Sequence, residues 1–251
     1  MGSVLSIINA NKNFDGTIAL DDFSLEVPKN SITGIIGPNG AGKTTLFNVI
    51  TGFLSPDSGK VIYGGRDLNG LSPYRITRLG MVRTFQQLRL ITRISVLDNI
   101  MLSFQNQSGE HLKGIFLFPG RIREQERRNR EKALELLTHM GIEDKAHTLV
   151  EDLSYGQQKM VSAACCLASG ADLFLLDEPV AGINPEIIDK ILAIIKRLPE
   201  KEKTVVLIEH NIDAVMQVCD KVVFMDEGRK IVEGDPESVR NDPAVLEAYL
   251  E

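Results

Sequence analysis

Residues 37–45 read GPNGAGKTT, a full match to the spacing GxxxxGK[ST]. Phosphate chemistry explains each fixed position. Backbone N–H groups must close around phosphate oxygens, which leaves no room for side chains at the nearest points. Gly37, Gly40 and Gly42 supply that freedom, and Asn39, Ala41 and Thr45 complete the nucleotide-contacting loop. Lys43 brings a cation to the β and γ phosphates, Thr44 can offer its hydroxyl to Mg2+, and a helix that begins here points its positive end at the anion. A glycine-rich turn capping an ordinary helix is the plainer alternative, but it leaves Lys43 and Thr44 without a reason. Two further polar pairs could join this chemistry: Asp177 with Glu178, and Glu209 with His210, each directly after an apolar run.

Such groups need rigid elements to hold them. Short apolar runs bounded by glycine alternate with amphipathic stretches, the pattern of an α/β domain with a largely parallel sheet. Ile32–Ile36 reads as a buried strand feeding the phosphate loop, and Lys43–Thr51 as the helix after it. Leu173–Leu176 (LFLL) and Thr204–Ile208 (TVVLI) are continuous apolar runs, as expected of central strands covered on both faces. In open parallel sheets ligands sit beyond the carboxyl ends of the strands, so these three ends are expected to converge on one nucleotide. Val4–Asn9, Ser24–Val27 and Lys60–Tyr63 read as strands joined without helices, a small antiparallel layer beside the main sheet.

Between about Leu88 and Val161 the strand signal vanishes. Val96–Phe104 and Arg123–Met140 read as helices, which predicts a helical subdomain of about 88–161 inserted in a single domain spanning residues 1–251, with 228–251 as a C-terminal tail. Residues 121–135 carry six basic and four acidic side chains. Interleaved signs at helical spacing imply a solvated face with i,i+4 pairs rather than a polyanion site.

Composition narrows the function classes. With 251 residues, 43% of them hydrophobic, the chain can bury a large core. A net charge of −6 argues against nonspecific nucleic-acid binding, which rests on clustered Lys and Arg. Its three cysteines, Cys165, Cys166 and Cys219, show neither metal-ligand nor disulfide spacing and fit a reducing cytosol. No window approaches the ~20 apolar residues of a membrane span, and no signal-peptide pattern is expected at the N-terminus. MGSVLS matches the MGxxxS acylation pattern, but three fixed positions make a weak motif and an ordinary start is expected.

The order of GPNGAGKTT, LSYGQQ at Leu153 and LFLLDEP at Leu173 resembles the ATPase subunits of ABC transporters over nearly the whole chain. The resemblance implies a P-loop NTPase of ABC type: an α/β fold with a largely parallel core sheet, a small antiparallel β layer and a helical subdomain. It implies ATP and Mg2+ as cofactors. Asp177 would reach the metal through water, together with Thr44 and Gln86, and Glu178 would be the general base for the water attacking the γ-phosphate. Lys43, Gln86 and His210 would complete the catalytic set, His210 contacting the γ-phosphate. Gln87 is the alternative to Gln86, which the TFQ form favours. Ser154, Gly156 and Gln157 of LSYGQQ would cap the nucleotide of an opposite subunit, although Ser154 alone reads as a helix cap. Phe14 lies where the family stacks an aromatic ring on adenine; a core phenylalanine is the alternative. AGIN at 181–184 resembles the subunit-contact loop, with Asn184 where many relatives carry aspartate, and Tyr155 replaces a signature glycine.

TFQQLRL, PVAGINP, LIEHNID and the ending EGDPESVRNDPAVLEAYLE further resemble the ATPases that serve uptake of branched-chain amino acids and related amides or urea. The implied partners are a second ATPase subunit of the same or a similar chain, two transmembrane permease subunits docking near Gln86 and residues 88–97, and indirectly a substrate-binding protein, with no nucleic acid. The implied location is cytoplasmic, peripheral on the inner face of the membrane. A lipopolysaccharide-exporting ATPase is the rival within transport. A soluble ABC-type ATPase of translation or repair is the rival outside it, though a second cassette or long heptad run is not visible.

Overall fold

The computed structural model describes residues 2–84, 90–108 and 119–250. Strand β1 (Ser3–Phe14) buries Leu5, Ile7 and Ala10, and β2 (Thr17–Pro28) buries Leu20, Phe23, Leu25 and Val27. Between them Asp15 and Gly16, at φ +47° and +97°, form a two-residue turn whose twist matches the antiparallel pair. Both strands outrun the expected Val4–Asn9 and Ser24–Val27. Pairing continues past a register shift between Ile7 and Ala10, where Asn9 sits at φ +47°, so the bulge interrupts the sequence pattern without ending the strand.

Strand β3 (Ile32–Ile36) is buried at every residue and leads through the glycine loop into α1 (Lys43–Ile50). Next come β4 (Ser58–Tyr63), the two-residue β5 (Arg66–Asp67), the short helix α2 (Pro73–Thr77) and β6 (Met81–Arg83). Among the described residues the α-helices that follow are α3 (Val96–Ser103), α4 (Pro119–Met140) and α5 (Tyr155–Ala168). The remainder alternates β7 (Leu173–Asp177), α6 (Pro185–Lys196), β8 (Thr204–Ile208), α7 (Ile212–Val218) and β9 (Lys221–Asp226), and closes with β10 (Arg229–Gly234), α8 (Pro236–Arg240) and α9 (Pro243–Leu250).

The chain divides into two compact units. The first comprises Met1–Arg83, Asp172–Ala181 and Leu192–Glu251 and contains both sheets. One is antiparallel, in the order β2-β1-β4-β5. The other has the order β10-β9-β3-β8-β7-β6, parallel except for β10 at its edge. Central strands β3, β7 and β8 are buried along their whole length, as their continuous apolar runs require. A single core joins the layers: Leu46 and Phe47 of α1 pack with Phe23 and Leu25 of β2, Leu175, Val206 and Met225. Each such side chain is worth roughly 1.5–3 kcal/mol when fully buried.

The second unit comprises Thr84–Ala171 and Gly182–Ile191, and in it α3, α4 and α5 pack against one another. Helix α4 buries Asn129, Ala133, Leu137 and Met140, one stripe at helical spacing. On its exposed side Arg127 pairs with Glu124 and Glu131, and Arg128 with Glu124, at 2.9–3.0 Å. This is the solvated charged face that the interleaved signs imply. The helix starts earlier than Arg123 because Pro119, with fixed φ and no N–H, suits a first turn. Among the described residues no helix is long and apolar enough to cross a membrane.

Candidate active site

The loop between β3 and α1 owes its glycines partly to the protein behind it. A Cβ at Gly37 (φ +150°) would lie 1.9 Å from the Met225 carbonyl oxygen, and one at Gly42 (φ +98°) 2.2 Å from that of Ala19. At these positions any side chain would displace backbone, whatever occupies the front of the loop. Gly40 has open space around it and needs glycine only for its φ of +87°. Helix α1 starts at Lys43 with Gly42 as N-cap, with no side-chain cap and no acidic residue in the first turn. Its first amides lack partners within the helix by geometry, so the arrangement suits an anion. Asn39 and Thr44 are exposed, Thr45 half-buried and Ala41 buried.

Lys43 is only 6% exposed, and its ammonium donates to the carbonyls of Gly37 and Pro38, both at 2.7 Å. Burial lowers its pKa; the carboxylates of Glu178, Asp177 and Asp226, in that order, pull it back up. Those carboxylates stand at or just past the ends of β7 and β9, so Lys43, which follows β3, faces acids from two further strand ends, β9 not having been among those expected. Asp177 accepts a hydrogen bond from Arg83 Nη2 at 2.8 Å, with both side chains 6% exposed. The same guanidinium donates to Asn48 Oδ1 of α1 at 2.7 Å and lies 5.3 Å from the centroid of the Phe47 ring. Arg83 thus links the acid at the end of β7 to the helix that follows the loop.

Glu178 adopts φ +48°, a conformation that costs a non-glycine residue of the order of 1–3 kcal/mol. Two backbone bonds hold it there: its N–H donates to Ile208 at 2.9 Å, and its carbonyl accepts from Ala181 at 3.3 Å. The turn aims its carboxylate at His210, whose Nε2 is 3.1 Å from Glu178 Oε1. Acid and imidazole, drawn from the ends of two neighbouring strands, therefore stand within hydrogen-bond reach of each other.

Elsewhere the placements differ. Phe14 is 42% exposed at the end of β1, which rules out the core alternative, and Lys12 Nζ lies 5.5 Å from its ring centroid. Gln86 and Gln87 lie outside the described residues, as does the start of the 88–97 segment. Ser154, Gly156 and Gln157 belong to the second unit, where Ser154 caps α5. Its Oγ accepts from the Gln157 N–H at 3.3 Å, while Gln157 Oε1 accepts from the Ser154 N–H at 3.0 Å. The local cap reading of Ser154 is therefore realised. Tyr155 is exposed with Lys159 Nζ 5.5 Å from its ring centroid, and Asn184 Oδ1 accepts from the Ile187 N–H at 3.0 Å.

Two side chains escaped the sequence reading, Arg83 and Asn48, and Glu209 was noted only as a polar residue after its strand. Arg83 directly precedes TFQ and Glu209 directly precedes His210, so adjacency to a motif was the signal on offer. For Asn48, four residues after Thr44 on the same helix face, helical spacing was the signal.

Comparison with known proteins agrees with this geometry. A family model described as ABC transporter matches residues 20–181, and one described as branched-chain amino acid ATP-binding cassette transporter matches residues 229–250. The chain is 35% identical to the high-affinity branched-chain amino acid transport ATP-binding protein BraF of Pseudomonas aeruginosa, over 98% of this chain and 97% of that one. To the corresponding protein LivG of Escherichia coli K12 it is 34% identical, with 98% and 97% covered. Among solved structures it resembles the ADP conformation of the ATP-binding cassette MJ1267 of an ABC transporter, at TM-score 0.84 and 33% identity, covering 100% of this chain and 99% of that one. It also resembles the dimeric post-hydrolysis state of the cassette MJ0796 bound to ADP and Pi, at TM-score 0.77 and 27% identity over 92% and 98%. A glycine loop shaped for a phosphate, an acid and an imidazole facing each other at the strand ends, and relatedness over nearly the full length lead to one conclusion: the chain is an ATPase that belongs to the ATP-binding subunits of ABC transporters.

Proposed function

We propose that this ATPase powers the uptake of branched-chain amino acids, or of related amides or urea, across a membrane. The observation that carries hydrolysis is the gathering of Lys43, Asp177, Glu178 and His210 at the strand ends of one unit. Support for the substrate class comes from the match over residues 229–250 and from relatives whose names specify branched-chain amino acid transport.

In this reading the chain works as one ATPase domain whose helical insertion serves a second subunit. The loop from Gly37 to Gly42, with Asn39 and Ala41, holds the triphosphate together with Lys43, Thr44 and Thr45, and Phe14 stacks on the adenine. Water attacks the γ-phosphorus while Glu178 takes its proton and His210 holds it in line. The β–γ bridging P–O bond breaks, leaving ADP and phosphate. Gln86 reports the state of the site to the membrane partner. Thr44 and Asp177 are hard oxygen donors, with Gln86 the third expected ligand. Among the described residues no group of three or more His, Cys, Asp or Glu side chains could enclose a metal ion. That donor set fits Mg2+, which keeps several waters and leans on substrate phosphates. When bound, Mg2+ supplies neutralisation of charge on the phosphate oxygens.

Ser154, Gly156 and Gln157 cap the nucleotide of a second cassette, so ATP joins a head-to-tail pair and hydrolysis releases it. Two permease subunits and, through them, a substrate-binding protein complete the assembly on the cytoplasmic face of the membrane.

Light scattering on purified Glu178→Gln with and without Mg·ATP tests the pair: the expected outcome is a doubled mass with ATP. A monomer that still binds ATP points to a different second cassette, and a folded protein that binds no ATP overturns the reading of the loop. For the substrate, vesicles carrying the chain with its permeases are expected to take up radiolabelled leucine when ATP is present inside. No uptake of leucine, amide or urea would sink the importer assignment.

A further inference from the structure

Among the described residues only two carboxylates are buried, Asp177 and Glu209. Asp177 has its arginine. Glu209, 1% exposed, takes no part in the hydrolysis proposed above. Its Oε1 accepts the Val180 N–H at 2.9 Å; its Oε2 accepts the His210 N–H at 3.2 Å and the Asn211 N–H at 3.5 Å. A buried carboxylate is costly unless donors are aimed at it, and these donors come from two different loops. Val180 lies two residues after Glu178, in the loop that follows β7. Glu209 itself starts the loop that follows β8, with His210 next in it. The strands are neighbours in the sheet, paired in register through Asp177 and Ile208.

We infer that Glu209 is a positioning residue: its carboxylate locks the loop bearing Glu178 to the loop bearing His210, so that the two move as one body. The inference rests on the roles proposed above for Glu178 and His210. The Glu178 N–H already ties the two strand ends by donating to Ile208; without the lock, the turn beyond it would be held to the His210 loop by that bond and the strand pairing alone, and the contact between Glu178 Oε1 and His210 Nε2 would loosen. Val180 also directly precedes residues 181–184, the segment expected to meet a second subunit. A push on that segment would reach His210 through the Val180–Glu209 bond in addition to the backbone pairing of the two strands, and reciprocally a shift of His210 would be felt at 181–184.

The test is Glu209→Gln in the full chain. Glutamine keeps the size and one acceptor oxygen but turns an NH2 donor toward an N–H donor, so one of the two loops must be released. Turnover is expected to fall about tenfold or more, since small misplacements are costly in phosphoryl transfer, while KM for ATP stays within roughly threefold. On a His210→Ala background the same substitution should cost almost nothing, because what it positions is already gone. Hydrogen exchange measured in the nucleotide-free protein should speed up at the Val180 and His210 amides together. Unchanged turnover, an equal loss on both backgrounds, or amides that stay as protected as before would each overturn the inference. If the glutamine variant does not fold, Glu209→Asp, too short to span both loops, is measured in the same way. In the wild type the two amides must then open at the same rate, and unequal rates overturn the lock. Full turnover of both Glu178→Gln and His210→Ala would instead bring down the underlying reading, and the exchange data would still decide whether the loops are joined.

Discussion

The two units hold their candidate residues in opposite ways. In the strand-built unit Asp177, Glu178 and His210 stand at the ends of β7 and β8, strands buried at every position, and Glu178 meets His210 across the sheet at 3.1 Å. In the helical unit Ser154 and Gln157 sit at an exposed helix start and satisfy each other through a capping box. The first arrangement is preorganised for chemistry, because the groups have little freedom left to lose when substrate arrives. The second is complete as local structure, and the role proposed for it needs a neighbour to be brought to it. Under the proposed function this is a division of labour, in which one unit would do the chemistry and the other would decide when it runs.

That contrast can be broken, and the largest effect should come from the strand-built side. Lys43→Ala is expected to lower steady-state ATP hydrolysis by about 100-fold or more, since a pre-placed cation on the phosphates is removed; a coupled phosphate-release assay that finds less than about fivefold loss would remove Lys43 from the site. Next comes Arg83→Ala, which leaves Asp177 buried without its guanidinium partner. Breaking a buried pair costs about 3–5 kcal/mol, and for a chain of this size each kcal/mol lowers the melting temperature by roughly 2–4 °C. A calorimetric shift below about 2 °C would mean that the pair contributes little to the fold.

Ser154→Ala sharpens the comparison from the other side. Loss of the cap should cost about 1 kcal/mol, a few degrees of melting temperature, and leave ATP affinity of the single chain unchanged while turnover falls. Weaker ATP binding by the isolated variant would contradict the division between the units. Smallest of all, Glu124→Gln on the exposed side of α4 should change neither melting temperature nor turnover measurably at physiological salt, because screened surface pairs contribute little.

How much could be read in advance followed the same divide. β3 and β8 were bounded correctly by their apolar runs alone, and β7 only gains Asp177, because full burial on both faces leaves a continuous hydrophobic signature. β9 and β10 went unread. They pair antiparallel around a Glu227-Gly228 turn, with both residues at positive φ, and Glu-Gly is a weak hairpin signal compared with Asn-Gly or Asp-Gly. The candidates Lys43, Asp177, Glu178 and His210 could be named because each follows a glycine loop or an apolar strand. Their contacts could not: Arg83 and Asp177 are 94 positions apart, and meet only because β6 docks beside β7. Sheet order is a property of the whole fold, which no local pattern encodes. Glu209 is a similar case, since its use depends on which loop lies across from it.

The hairpin of β9 and β10 has a consequence for solubility. Val222, Val223, Phe224 and Met225 make β9 an apolar strand, and without β10 its open side would offer unpaired backbone to any other extended chain. β10 takes that place with Arg229, Lys230 and Glu233 along it and a register shift between Lys230 and Val232. Charge and irregularity both discourage a further strand from adding on. Trimming the chain back to Asp226 would thus expose an adhesive edge, and the segment that matches the branched-chain amino acid model would double as the sheet's guard against aggregation.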